Sequence, residues 1–347
     1  DSSNASAGKW IGGLNPEMGV VEAARAVLSV RLRATLERFE MVREGDRPDV
    51  EDLRKARVAT RRARSSIDAF RSYLPKKASR RLRRRLKSMR NLAGEPRSAW
   101  IERDALCARL EGALGDVRIA LAFAAGRFDA HRRASLEHLR ASGEIIDISA
   151  YEDDARKCER RLAKQPVGVS LRAHAGGAIH DVERCVARAS ADGLDDLESL
   201  HQLRIDIKRL RYTYEIFRCC IPDARFDSIY PAAEAVQERL GDMNDLHELV
   251  CRLSDIAGEE GLPGSVAWSL ALLIERLESE REDARLSFLS WWRDPDSQTS
   301  ASLRSLGGEY GTSADGARTL RRVEIERSVD HALKAATDRI RDDGPAL

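Results

Sequence analysis

His201-Gln202-Leu203-Arg204-Ile205-Asp206-Ile207-Lys208-Arg209-Leu210-Arg211-Tyr212 carries two stripes when it is wound as a helix. Leu200, Leu203, Ile207, Leu210, Tyr214 and Phe217 recur at the spacing of one buried face. His201, Arg204, Lys208, Arg211 and Arg218 each follow a core position by one residue, about 100° round the helix, so a cationic row borders the core row. Asp206 and Glu215 are the only acids in that span.

The same pattern occurs 147 residues earlier. Leu53, Ala56, Thr60, Ala63, Ile67 and Phe70 map onto the apolar stripe, and Arg54, Arg57, Arg61, Arg62, Arg64 and Arg71 onto the cationic one. The register continues without a gap through Leu82/Ile229, Leu86/Ala233, Met89/Val236 and Ala93/Leu240 to the glycines Gly94 and Gly241. We read this as an internal duplication.

Composition narrows the class. With 33% charged residues, 5% aromatics and few Pro or Gly, the 347-residue chain favours long helices. The net charge of +2 conceals an asymmetry: Arg54–Arg97 holds seventeen Lys/Arg against Asp68 and Glu95. A basic surface set on a counterbalanced body points to a polyanionic partner. The six cysteines show no CxxC and read as small core residues of a reducing compartment. No apolar run reaches the roughly 18 residues of a membrane span, so no membrane association is expected.

In chain order, residues 1–15 read as a loose, tag-like start. A helix follows from Pro16 to about Glu44, then the first motif helix from Pro48-Asp49 to Leu74-Pro75. A helix over Lys76–Ala93 ends at a Gly94–Pro96 break, and helices over 98–110, to Ala125 and around His131–Arg140 close the first half. A connecting helix over 150–164 leads to the second half. It repeats the order: helices over 169–190, the motif, 227–240 ending at Gly241, 243–257 and 264–292. Residues 294–317 read as a linker, and Arg318–Arg341 as a last amphipathic helix within 318–347. The expectation is all-α: two bundles of roughly four helices (16–165 and 166–293) about a pseudo-two-fold, with a basic cleft or pore between them.

Arg54-Lys55-Ala56-Arg57-Val58-Ala59-Thr60-Arg61-Arg62-Ala63-Arg64 resembles HxxRVxxRRxR, and His201 to Tyr212 resembles HxxRixxKRlRY. Leu240-Gly241-Asp242-Met243-Asn244-Asp245 resembles an LGxxND turn. These are the motifs of the CHAD (conserved histidine α-helical) domains, and the resemblance covers roughly residues 17–292. It implies inorganic polyphosphate as ligand, no catalysis by the domain, and association with polyphosphate granules or fusion to triphosphate-processing enzymes. The chain departs from the family at Arg54, which stands at the first-repeat histidine, and at Ser98, which stands where an Asp is usual.

The chemistry agrees with that implication. Guanidinium offers a rigid donor fork to phosphate oxygens. A row at i, i+3, i+7 and i+10 spans about 15 Å, a length suited to a linear polyanion rather than one phosphate. Phe70 and Tyr73 are the only aromatics between Arg54 and Arg97, so base-stacking platforms are missing. The candidate polyphosphate contacts are Arg54, Arg57, Arg61, Arg62, Arg64, His201, Arg204, Lys208, Arg209, Arg211 and Tyr212. Arg81, Arg84 and Arg85 are secondary candidates.

No catalytic set, cofactor or metal ligand is expected. His131/His138 and His174/His180 lack metal spacing, and Glu324-Ile325-Glu326-Arg327 has no β-barrel around it. The chain is expected to be a cytoplasmic, non-enzymatic polyphosphate-binding module that meets granule proteins. The alternatives are a nucleic-acid backbone binder, an accessory domain of a phosphate-processing enzyme, and a scaffold whose cations are paired internally.

Overall fold

The computed structural model describes residues 9–45, 48–142, 146–166, 168–191, 194 and 196–309. Among the described residues the chain is all-α: α1 (Val20–Glu44), α2 (Val50–Ala69), α3 (Lys76–Leu92), α4 (Gly94–Leu110), α5 (Gly115–Ala141), α6 (Ile148–Ala163), α7 (Leu171–Ala191), α8 (Leu197–Ile216), α9 (Asp223–Ala257), α10 (Gly264–Arg293) and α11 (Gln298–Glu309). Extended pairing among them is confined to one antiparallel bridge, Gly19 to Ser170.

The two motif helices begin and end alike. The Asp49 carboxylate accepts from the Asp52 backbone N–H at 2.7 Å and starts α2, as Asp196 accepts from Ser199 at 2.7 Å to start α8. Both helices stop at a phenylalanine with nearly the same backbone, φ −106° and ψ 20° at Phe70 against φ −105° and ψ 23° at Phe217. A 3-10 turn and a proline (Pro75, Pro222) follow in each case before the next helix. All these boundaries repeat at the 147-residue offset. The two phenylalanines also meet, edge to face, with ring centroids 5.8 Å apart.

Beyond this point the halves differ. Residues 76–110 divide at Ala93 into α3 and α4, whereas the equivalent residues 223–257 form one helix. The expected end at Gly241 is therefore corrected. Pro96 has no N–H and its ring crowds the carbonyl four residues back, so the chain breaks before it. Its counterpart Met243 bonds normally, and a lone glycine in a helix costs about 1 kcal/mol without ending it. For the same reason α5 runs unbroken through Gly126, where two shorter helices were expected.

Three apolar cores hold the helices. The first joins α1, α2, α3 and α6 around Phe39, Leu53, Ile67 and Leu82. The second joins α7, α8, the first part of α9 and the end of α10 around Leu203, Leu210, Val236 and Trp292. A third core, not foreseen, takes Leu106 and Leu121 from α4 and α5 together with Leu253 and Leu273 from α9 and α10. It draws on both sides of residue 166, because 35 residues of helix reach about 52 Å, further than one bundle is wide.

Two further expectations change. Part of the stretch read as a linker is α11, whose Leu303 and Leu306 are fully buried in the second core. Its Ser-rich composition resembled a linker, but two leucines three apart supply a docking face. Residues 1–8 and 310–347, including the helix expected over 318–341, lie outside the described residues. From residue 9 the chain is tied down: Arg31 Nη2 donates to the Lys9 carbonyl at 2.9 Å, and Trp10 stands edge-on to Phe226.

Candidate anion-binding cavity

α2 and α8 pack against each other, which brings their cationic rows into one place. Arg54, Arg57 and Arg61 recur at i, i+3 and i+7 on α2; Arg204 and Lys208 hold the equivalents of the last two on α8. All five line a cavity of about 520 Å³, where Arg97 and Arg109 of α4 join them. Asp242, Asp245 and Glu248 of α9 and Glu102 of α4 line it too.

Most of these cations lack paired charge. Among the described residues Arg57, Arg61, Arg97, Arg204 and Lys208 form no ion pair within 4.0 Å, whereas Arg54 is held by Glu51 at 2.5 Å and Arg109 by Glu280 at 2.7 Å. Arg57 Nη1 donates to the Gly94 carbonyl at 3.2 Å, and a side chain at residue 94 would place its Cβ 3.1 Å from that nitrogen, so glycine admits the guanidinium. Arg204 Nη1 donates to Asn244 Oδ1 at 2.8 Å. The buried Nε atoms of Arg97 and Arg204 have no hydrogen-bond partner among the described residues.

Desolvation and mutual repulsion mark the cluster. Burial, then neighbouring Arg61 and Arg97, bring Arg57 down to about 10. Arg97 and Arg204 are lowered by burial, with Arg61 acting in the same direction. Lys208 falls to about 7, from burial first and then from Arg204, Arg61 and Arg57, with Asp245 opposing. Each of these groups is charged at a cost that an anion in the cavity would offset.

Other expected contacts are engaged elsewhere. Arg62 donates to Glu215 through Nε at 2.7 Å and Nη2 at 3.1 Å, and Arg211 is held by Glu234 at 2.6 Å and Gln237 at 2.8 Å. Arg81 and Arg85 both grip Asp154 of α6, which is 2% exposed. In all four, two row candidates and two secondary ones, an acid from another helix claims the donors, and none of them lines the cavity. Arg64 lies 3.8 Å from Asp68 and Arg209 3.4 Å from Asp206, both outside the cavity lining.

Tyr212 is half-buried, and Arg84 is exposed on the outer face of α3; neither lines the cavity. His201 is exposed in an adjoining groove with Met243 and His247, which shares Arg204 and Glu248 with the main cavity.

The sequence reading did not single out Arg97, Arg109 or Glu102; Asp242, Asp245 and Glu248 belong to the internal acids its scaffold alternative would place in the cleft. Arg97 had a signal: it stands 147 residues before Asn244, which holds Arg204.

A family model of the CHAD domain matches residues 26–254. Among solved structures, the CHAD domain from the plant Ricinus communis superposes with a TM-score of 0.61 at 20% identity, covering 85% of this chain and 95% of that one. PptA from Streptomyces chartreusis gives a TM-score of 0.58 at 20% identity, covering 80% of this chain and 100% of that one. No curated protein matches the chain. The structural likenesses establish a shared helical architecture, and the family model extends over both motif helices and the cavity between them: the chain belongs to the CHAD domain family.

Proposed function

We propose that the chain binds inorganic polyphosphate in the α2–α8 cavity and acts as a non-catalytic module. The observation that carries this reading is the convergence of Arg57, Arg61, Arg97, Arg204 and Lys208 with, among the described residues, no carboxylate in ion-pair contact with any of them. One phosphate is satisfied by two or three such groups, whereas a chain of regularly spaced charges engages the whole set. Among the described residues no aromatic lines the cavity, so bases find no stacking surface there. Such a module would accompany polyphosphate wherever it accumulates, granules included.

A second reading has one observation in its favour. Lys77, Arg80, Arg84 and Lys87 lie exposed on α3 and form no ion pair among the described residues, an outward cationic face suited to a nucleic-acid backbone.

One titration separates the two. Affinities for polyphosphate, duplex DNA and ATP are measured across a salt series in the wild type and in Arg80→Ala/Arg84→Ala. Polyphosphate binding tightest of the three, with a steep salt slope that the α3 variant leaves nearly unchanged, is the expected result. Duplex DNA displacing polyphosphate at physiological salt would favour the nucleic-acid reading.

Lys208 supplies a pH signature. In the free chain it loses its proton near pH 7, and a phosphate chain beside it raises that value. Affinity is therefore full below about 7 and falls as pH rises. Stability of the free chain moves the other way. The unfolded lysine titrates at 10.5, so between about 7 and 10.5 the unfolded state binds more protons and stability rises with pH. Lys208→Arg should flatten the affinity profile above pH 7; an unchanged profile in that variant would exclude Lys208 as its source.

A further inference from the structure

Not all of the chain's unpaired cations face the cavity. Lys77, Arg80, Arg84 and Lys87 recur at i, i+3, i+7 and i+10 on α3, are exposed, and do not line it. The acids nearby are already taken: Arg81 and Arg85 grip Asp154, and Arg83 lies 3.1 Å from Asp68. α6 extends the same face. Its Asp154 meets the middle of α3, while Gln165 just beyond it donates to the Tyr73 carbonyl just before α3, so the two helices run antiparallel. The end of α6 therefore lies beside the start of α3. Arg161 and Lys164 stand there, exposed and, like the four on α3, in no ion pair among the described residues.

An independent observation comes from the matching helix. The residues 147 on are Ala224, Asp227, Pro231 and Glu234 of α9, which include no cation. α11, which packs on α9, brings one, Arg304, whose Nη2 donates to the Asp294 carbonyl at 2.7 Å. Within α6 the earlier cations are paired, Arg156 with Asp153 at 2.6 Å and Lys157 with Asp154 at 3.8 Å. The bare charge is thus confined to one outward face. Six exposed like charges there repel one another, and a polyanion laid across them removes that cost.

We propose that this face binds the backbone of duplex nucleic acid at a site separate from the cavity, so that one chain holds a duplex and polyphosphate at once. The duplex site stands without the cavity; the simultaneous occupancy rests on the polyphosphate reading. Ten residues of helix carry the α3 row over about 15 Å, enough to follow about four phosphates of one strand at roughly 3.4 Å each along the duplex axis. Among the described residues, none of the exposed large apolar side chains lies on α3 or α6. The face therefore offers neither a ring for unpaired bases nor an apolar wedge for a bilayer. Guanidinium and ammonium contacts with phosphate oxygens position a duplex without reading its sequence.

Anisotropy of a short labelled duplex is titrated with the wild type, Lys77→Ala/Lys87→Ala and Arg161→Ala/Lys164→Ala across a salt series. Each double variant should weaken duplex binding roughly five- to tenfold at low salt and flatten the salt slope by about 2, near 0.9 for each lost phosphate contact. Affinity for a short polyphosphate should not change in either. Arg61→Ala should do the reverse, losing polyphosphate and keeping the duplex. One equivalent of short polyphosphate should leave the duplex bound, and anionic phospholipid vesicles should be held far more weakly at the same salt.

Duplex binding that both double variants leave unchanged, that one equivalent of short polyphosphate abolishes, or that the vesicles match in strength would overturn this assignment. The expected duplex results without any polyphosphate binding would uphold the α3–α6 site and sink the cavity reading, and simultaneous occupancy with it.

Discussion

Arg61→Ala is expected to weaken polyphosphate binding roughly ten- to a hundredfold while raising the thermal stability of the free chain. Both effects follow from its position. Arg61 lines the cavity, makes no ion pair among the described residues, and is a repulsive neighbour of Arg57, Arg90, Arg97, Arg204 and Lys208. A charge-assisted hydrogen bond to phosphate contributes about 1.5–3 kcal/mol, which sets the scale of the loss. Without ligand the same charge only repels its neighbours, so its removal relieves the native state, as expected of a residue kept for function. Thermal unfolding with and without polyphosphate reads both quantities. A variant that is destabilised, or that binds as well as wild type, would contradict this account of the cavity.

Glu215→Ala should produce the largest loss of stability, on the order of 3–5 kcal/mol, seen as a lower urea midpoint. Glu215 is 1% exposed and ties four helices. It accepts from Arg62 of α2 and from the Tyr230 hydroxyl of α9 at 3.1 Å, and it lies 3.7 Å from Arg31 of α1. Arg31 is 2% exposed and lowered to about 10 by burial, with Glu215 the main influence in the other direction. Truncating the carboxylate strands that guanidinium, whose Nε and Nη1 already lack partners.

Replacing Arg31 as well, Arg31→Met with Glu215→Gln, should recover part of the loss, since the most deeply buried charge is then gone and only the partly exposed Arg62 loses its carboxylate. A cost below about 1 kcal/mol in Glu215→Ala would show that the charge is relieved by rearrangement. The Arg62–Glu215 pair also ties α2 to α8, the two helices whose cationic rows line the cavity.

The all-α class, the two motif helices and the register between them were legible because helix periodicity is local. Ala56/Leu203 and Thr60/Ile207 face inward for the same reason, and the Arg57/Arg204 and Arg61/Lys208 pairs each follow one residue on. Arg62 and Arg211 looked equivalent to them in the sequence, yet each sits beside an acid. Glu215 is 153 residues from Arg62, and Glu234 is 23 from Arg211 on another helix. Nothing in a helical repeat announces such partners.

The third core and the position of Glu102 were hidden in the same way. Leu106 and Leu253 join one core, and Glu102 shares a cavity with Asp245, only once α4 and α5 have come together with α9 and α10. The chain's own sequence determined which residues are helical and which stripe of each helix is cationic, since neighbours three and four apart suffice for both. Tertiary structure decided the rest of the pairing. Arg54, Arg64 and Arg209 meet acids three or four residues away, but Arg62, Arg81, Arg85 and Arg211 are neutralised by carboxylates that packing brings within 4 Å from other helices.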